Sequence, residues 1–398
     1  MKIINLVGNV TEKNILLIQG PMGNFFNTLD HKFMNLGANT FRIGLNAGDE
    51  FFADANHYTP FKGRVDEWNS FISHFYQKHS IDMIFSLGDC RFYQSEAIKV
   101  AKKNNIEVFI FEEGYIRPNF ITLEKNGVNA NSSLPRERIF YDTLEYDNPK
   151  NCNNKNIKCI KNTYKYMALQ AVYYYILGNI FFFKYPHYQH HRKFFMLTEF
   201  LYGVKNYLRK LKYKLQERNE ELLYRTTLSK KYYFIALQTY EDFQISSHSD
   251  YSSVEEFIEE VLISFSKYAK EETFLVIKHH PMDRGKKNYK KFIESKAKIL
   301  NISKRVKVIY DLHLPTLLKN SIATVTINST VGISSLYHKI PTFCTGRSFY
   351  DIKGLTTSSE GISLDDFWIY YKEVDSELFY KFQCYLIKKT QVNSSFYI

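Results

Sequence analysis

Residues 273–281 read Thr-Phe-Leu-Val-Ile-Lys-His-His-Pro. The run Thr273–Ile277 is short and apolar, with no polar alternation, and it stops at a basic turn stiffened by Pro281. Such a run reads as a strand buried on both faces, as in a parallel sheet covered by helices on each side. The same signature recurs on both sides of it. Downstream, Val306–Tyr310, Ala323–Ile327 and Thr342–Cys344 read as strands, with helices over Pro315–Lys319 and Val331–Tyr337. Upstream, Tyr232–Leu237 is a strand and Val254–Tyr268 a helix.

The N-terminal part carries the same alternation. Asn14–Ile18, Thr40–Ile43, Asp82–Ser86 and Glu107–Phe111 read as strands. Helical signals run to about Leu36 and cover Arg64–Lys78 and Tyr93–Lys103. Strands alternating with helices predict two parallel, doubly covered sheets, each Rossmann-like. Between them, 164–224 is helical almost throughout, and Lys150–Asn162 is polar and loop-like. The expected organisation is an N-terminal Rossmann-like domain over 1–150, a linker and helical insertion over 151–228, a C-terminal Rossmann-like domain over 229–384 and a tail over 385–398. That matches an α/β, GT-B-like architecture, with two domains facing a central cleft.

A chain of 398 residues with 44% hydrophobic and 24% charged residues has the composition of a globular protein with more than one core. The net charge of +12 suits anionic partners such as nucleotide donors or an anionic lipid surface. No zinc-finger spacing, RRM signature or continuous basic tract supports nucleic acid. The five cysteines are odd in number and scattered, which predicts reduced thiols rather than a disulfide framework. No signal-peptide pattern is legible, and the longest apolar-aromatic stretch, Val172–Phe183, is too short to cross a bilayer. The expectation is a cytoplasmic protein, soluble or peripheral on the inner membrane.

Four groups of polar residues follow the expected strands, where an α/β fold places its ligands. Gln238-Thr239-Tyr240-Glu241-Asp242 puts a carboxylate in a strand-to-helix loop. Lys278-His279-His280-Pro281 offers a charge and a hydrogen-bond donor to phosphate. Asn328-Ser329-Thr330-Val331-Gly332 opens a helix with small hydroxyls and backbone N–H groups. Glu112-Glu113-Gly114-Tyr115-Ile116-Arg117-Pro118 pairs carboxylates with an arginine. Gly88-Asp89-Cys90-Arg91 and Gly20-Pro21-Met22-Gly23 end two further strands, without dinucleotide or Walker spacing. Each group also has a plain structural reading: helix cap, basic turn or surface ion pair.

Taken together, GPMGNFF, FRIGLNAGDEFF, GDCRFY, FEEGYIRPNFITLE, LQTYEDFQI, KHHPMDRG, YDLHLPTLL, NSTVG and the final GLT…LDDFW resemble the single-module β-Kdo transferases of group 2-type capsule assembly. The resemblance covers nearly the whole chain. It implies CMP-β-Kdo as donor and phosphatidylglycerol or lyso-phosphatidylglycerol as acceptor at the inner membrane, with no cofactor. In a related two-module family the aspartate of a QTxxD motif is implicated in retaining catalysis, and Asp242 stands at that position. The same resemblance places CMP at His280-Pro281 and Ser329-Thr330, with Asn328 beside them.

A retaining outcome fits a double displacement, with Asp242 as nucleophile and Lys278 and the Ser329 turn stabilising the departing phosphate. Glu113 is the expected acid/base, with Glu112 second. Arg117 is expected to pair with the Kdo carboxylate, and Gln238, Asp89, Arg91, Gly20 and Gly23 to line the sugar or acceptor region. No clustered metal motif stands out, so no metal is expected. The segment Val172–Phe183, followed by Lys184, His187, His190, His191, Arg192 and Lys193, is expected at an anionic membrane. Alternatives are a transferase with another nucleotide donor, or a non-catalytic, membrane-docked scaffold that works with other capsule assembly proteins.

Overall fold

The computed structural model describes residues 2–54, 57–145, 157–161, 163–190 and 196–397. The chain divides into two compact units. The first comprises 1–133, 150–196 and 384–398, and the second 134–149 and 197–383.

In the first unit, β1 (Asn14–Ile18), β2 (Asn39–Gly44), β3 (Tyr58–Pro60), β4 (Met83–Leu87) and β5 (Glu107–Glu113) are parallel neighbours in the order β5-β4-β1-β2-β3. Successive β1 residues go to opposite faces. Leu16 and Ile18 join a core with Trp68, Ile72 and Ala97, while Ile15 and Leu17 join Phe26, Phe33 and Phe85. Both faces are therefore covered, and the strand needs apolar residues at every position.

The second unit repeats the plan. Here β7 (Tyr232–Ala236), β8 (Phe274–Lys278), β9 (Val306–Ile309), β10 (Thr324–Thr326) and β11 (Thr342–Cys344) are parallel in the order β11-β10-β7-β8-β9. Tyr233 and Ile235 pack towards Phe257, Phe265 and Trp368, and Phe234 packs towards Tyr224 and Leu317. Renumbered within its own unit, each sheet has the order 3-2-1-4-5 of a Rossmann-like fold. The strand order reverses beside the first strand, between β1 and β4 in one unit and between β7 and β10 in the other.

Two features depart from a purely parallel expectation. β6 (Ile121–Lys125) turns back antiparallel on β5, and β12 (Gln391–Val392) pairs antiparallel with β6. The expected C-terminal tail thus holds a strand of the first sheet. Gln391 explains the attachment: its Oε1 accepts from the Tyr115 N–H at 3.1 Å, and its Nε2 donates to Thr122 Oγ1 at 2.9 Å. Phe396 adds edge contacts to Phe25 and Phe111, with centroids 5.0 and 6.2 Å apart.

The expected helical insertion is shared between the units. Thr163–Ile180 lies in the first, where Tyr174 hydrogen-bonds Asn46 and Asp49. Met196–Gln216 lies against the second, where Tyr213 stacks on Tyr310 at 3.8 Å. Residues 150–156 and 162 of the expected loop, and His191, Arg192 and Lys193 of the basic segment, lie outside the described residues. Cys90, Cys159 and Cys344 are free thiols, but Cys384 is disulfide-bonded, which departs from the expectation of reduced cysteines throughout.

Candidate functional site

In the second unit the strand-order reversal brings the β7 and β10 loops side by side. Gln238 follows β7 and is buried. Its Nε2 donates to Asp242 Oδ2 at 3.1 Å and to Asn328 Oδ1 at 3.0 Å, and its Oε1 accepts from the Asn328 N–H at 3.3 Å. Asn328 Nδ2 donates to the carbonyls of Gln244 and His248 at 2.9 and 3.3 Å. Three expected site residues from two loops therefore form one hydrogen-bonded group. An α/β fold receives ligands at this place, outside the carboxyl ends of the strands where the order reverses.

Asp242 caps the Phe243–His248 helix, with Oδ1 accepting from the Gln244 N–H at 2.9 Å. The structural reading of this residue as a cap is therefore met. Since its other oxygen faces Gln238, the cap and the loop-to-loop tie together fix the carboxylate orientation. Each carboxylate oxygen has two lone pairs, so one acceptor bond apiece leaves capacity for a ligand.

Ser329 and Thr330 sit at the start of the Val331–Tyr337 helix. Ser329 Oγ accepts from the Val331 N–H at 3.3 Å, and its carbonyl accepts from Tyr350 Oη at 2.5 Å. Gly332 is required by that tyrosine: a Cβ there would lie 2.2 Å from its hydroxyl.

The basic turn after β8 sorts its cations differently from the expectation. Lys278 turns inward and donates to the Tyr310 carbonyl at 2.7 Å. Burial pulls its pKa down to about 8, opposed by Glu217 and Asp311. The Lys278 ammonium thus ties β8 to the end of β9 rather than standing at the turn. His279 is buried between Tyr289 and Tyr310, and burial lowers its pKa to about 4, so it is neutral at pH 7. His280 is half-buried and caps the Pro281–Gly285 turn, its Nδ1 accepting from the Met282 N–H at 3.2 Å. Pro281 itself is exposed.

Residues the sequence reading did not single out brace this turn. Buried Arg284 pairs with Asp311 at 3.2 Å. Asp283 accepts from the Tyr240 N–H at 2.9 Å, which joins the turn to the Asp242 loop. Glu217 accepts from the N–H groups of Tyr310 and Asp311, each at 2.7 Å. Asp283, Arg284 and Asp311 stand inside KHHPMDRG and YDLH, but the burial of the first two and the ion pair between the last two were not legible there.

The first unit holds a separate acidic group. Glu112 is half-buried, and Glu113 is exposed. Burial pushes the Glu112 pKa up to about 7, with Glu113 and Asp89 adding to the rise and the Glu113 N–H and Arg91 opposing it. The strand pleat turns Glu112 inward and Glu113 outward. Glu112 accepts from the Glu113 N–H at 2.9 Å and from Asn129 Nδ2 at 3.4 Å. Asp89 accepts from the Val128 N–H and from Asn131 Nδ2, both at 3.1 Å. Behind them Tyr115 Oη donates to buried Glu124 at 2.6 Å and accepts from the Asn129 N–H at 2.6 Å. Glu124 also accepts from Ser132 Oγ, and burial raises its pKa to about 7. The antiparallel return of β6 delivers Glu124, and that turn was not read from sequence.

Other expected residues have local explanations. Arg117 is exposed and donates to the Gly114 carbonyl at 3.2 Å. A Cβ on Gly20 would meet the Phe26 ring at 2.7 Å. Gly23 has φ +122°, and a Cβ there would meet Gln170 Oε1 at 2.1 Å. Both glycines are therefore needed by their neighbours. Gln19, next to Gly20, accepts from Gln94 Nε2 at 2.8 Å, so a glutamine also links the loop after β1 to the Phe92–Lys103 helix after β4.

Residues 82–397 match the family model described as capsule polysaccharide biosynthesis protein. The chain is 39% identical to the capsule polysaccharide export protein KpsS of Escherichia coli over 385 residues, 97% of each chain. It is 35% identical to the capsule polysaccharide modification protein LipB of Neisseria meningitidis over 395 residues, 97% of this chain and 92% of that one. Among solved structures, the β-Kdo 2,7 transferase KpsC of Thermosulfurimonas dismutans aligns over 86% of this chain and 82% of that one, with 13% identity and a TM-score of 0.39, a likeness too weak to bear on function.

Proposed function

The chain belongs to the capsule polysaccharide biosynthesis protein family, and on that premise we propose that it is a retaining glycosyltransferase. Its donor is CMP-β-Kdo, and its acceptor is phosphatidylglycerol or the lyso form. The observation that carries this reading is the Gln238 bridge, which holds Asp242 beside Asn328 where the β7 and β10 loops part. Such a bridge orients a carboxylate towards a ligand seated over the Asn328-Ser329-Thr330 turn.

In the proposed reaction an Asp242 oxygen attacks the anomeric carbon, and the bond to the CMP oxygen breaks with its electron pair. The acceptor hydroxyl then attacks the same carbon from the opposite face, displaces the carboxylate and gives up its proton. Two inversions return the β configuration. His280 and the Ser329-Thr330 turn are the groups proposed to bind the departing phosphate. Lys278 acts indirectly, through the Tyr310 carbonyl. Glu112 stands beside Glu113 as a proposed proton-transfer group that takes the acceptor's proton, because a carboxyl titrating near 7 can both give and take a proton at neutral pH.

The test uses purified protein, CMP-Kdo generated in situ, lipid acceptor and mass spectrometry of the products. Transfer inhibited by CMP and not by UDP supports the donor. Kdo transfer absent under all conditions, or inhibition by UDP alone, overturns it.

A further inference from the structure

We propose that the Met196–Gln216 helix is an in-plane docking element for an anionic lipid surface. The proposal stands on the helix itself and does not depend on the acceptor assigned above. At 100° per residue, Asn206, Arg209 and Tyr213 share one narrow face. That face is fixed to the second unit. Asn206 Nδ2 donates to the Pro281 carbonyl at 3.3 Å, Arg209 donates to the Arg284 carbonyl at 2.6 Å, and Tyr213 stacks on Tyr310.

The opposite face is apolar and, among the described residues, uncovered. Leu201, Val204, Tyr207, Leu208, Leu211 and Leu215 are all exposed, Leu208 by 59% and Leu215 by 74%. They fall within about 120° of arc, centred roughly opposite the docked face. Lysines border this stripe on both sides, Lys205 and Lys212 along one edge and Lys210 and Lys214 along the other, all exposed. The acidic residue of the helix, Glu199, is paired with Lys286 at 2.6 Å.

Two observations favour a lipid surface over a partner helix. A stripe about 120° wide exceeds a two-position coiled-coil seam. Lysines on both margins suit a plane of anionic headgroups, where their stems lie along the apolar layer and their ammonium groups reach phosphate. The helix is not a span: among the described residues no helix is long and apolar enough to cross a membrane. The docked face also leads inward. Tyr213, Tyr310, His279 and Tyr289 form a continuous row of rings running from the docked face into the second unit.

Flotation of the full chain with vesicles at low salt tests this. The parent is expected to float with phosphatidylglycerol-containing vesicles and to partition at least tenfold more weakly into phosphatidylcholine alone. Leu208→Glu with Leu215→Glu should reduce partitioning at least tenfold while leaving the melting temperature and transfer to a detergent-dispersed acceptor unchanged. Reversing Lys205, Lys210, Lys212 and Lys214 to Glu should abolish the preference for phosphatidylglycerol. A parent that stays unbound overturns the proposal, as does a leucine variant that floats like the parent. A leucine variant that floats like the parent but turns a dimer into a monomer identifies the stripe as a self-association seam instead. Transfer in detergent reports on the catalytic reading separately, so loss of flotation and loss of chemistry are distinguishable.

Discussion

At the residue scale, Asp242 combines two duties that substitutions can separate. Asn at 242 can still accept from the Gln244 N–H, so Asp242→Asn should fold with nearly parental stability, whereas Asp242→Ala should lose about 1 kcal/mol with the cap. Both should lose Kdo transfer by orders of magnitude while still binding CMP. Denaturant melts, a CMP thermal-shift assay and single-turnover mass spectrometry check this together. Full transfer by Asp242→Ala would remove the nucleophile assignment.

Glu124 makes a pH prediction at the same scale. Burial raises its folded pKa from the ordinary 4.5 to about 7, so folding favours the protonated form. Its stabilising share is therefore complete below about 4.5 and is lost as pH rises through about 7. The size is on the order of 3 kcal/mol at most, from the width of that window. Glu124→Gln cannot ionise, so its stability relative to the parent should improve steadily between pH 4.5 and 8. A difference in melting temperature that stays constant over that range would contradict the burial argument. Glu112, with its pKa also near 7, adds a slope of the same sign, and Glu112→Gln should flatten the acid limb of the rate profile.

At the scale of elements, the Met196–Gln216 helix has a docked face and an exposed apolar face, with opposite energetics. Tyr213 is buried against Tyr310, so Tyr213→Ala should cost about 3 kcal/mol. Leu215 is exposed, so Leu215→Ala should stay within about 0.5 kcal/mol. Urea denaturation of both variants checks the assignment of faces, and equal losses would refute it. Helical periodicity was readable across this segment, but which side meets protein was not. Both stripes carry large apolar or aromatic residues, and the choice between them is made by partners more than sixty residues away: Pro281, Arg284 and Tyr310. The Asn328 and Gln238 loops show the same division. Their place after short apolar strands was legible, but their hydrogen bond spans 90 positions and needs β7 and β10 to be neighbours.

For the whole molecule, the two-unit plan predicts separable effects of the C-terminus. Gln391 and Val392 extend the first sheet although they follow the second unit in the chain. Ending the chain after Thr390 should therefore destabilise the first unit and expose Phe25 and Phe111, while the unfolding of the second unit is unchanged. Gln391→Ala should cost about 1 kcal/mol, because the Tyr115 N–H loses its 3.1 Å acceptor and keeps the longer bond to Thr122 Oγ1. Limited proteolysis that cuts both units equally after truncation would argue against this division.

From the sequence alone came two Rossmann-like halves, the positions of most strands and helices, and loops rich in polar and charged side chains. These depend on local periodicity and on polar residues following buried strands, and both are short-range properties of a chain. The tertiary structure decided the return of β6 and β12, the split of the helical segment between units, and the inward turn of Lys278. It also decided that Glu112 turns inward, where burial raises its pKa. Each of these is a question of burial or of pairing between distant positions. The free energy of a charge or an amide depends on what surrounds it in space, and adjacent residues do not encode that.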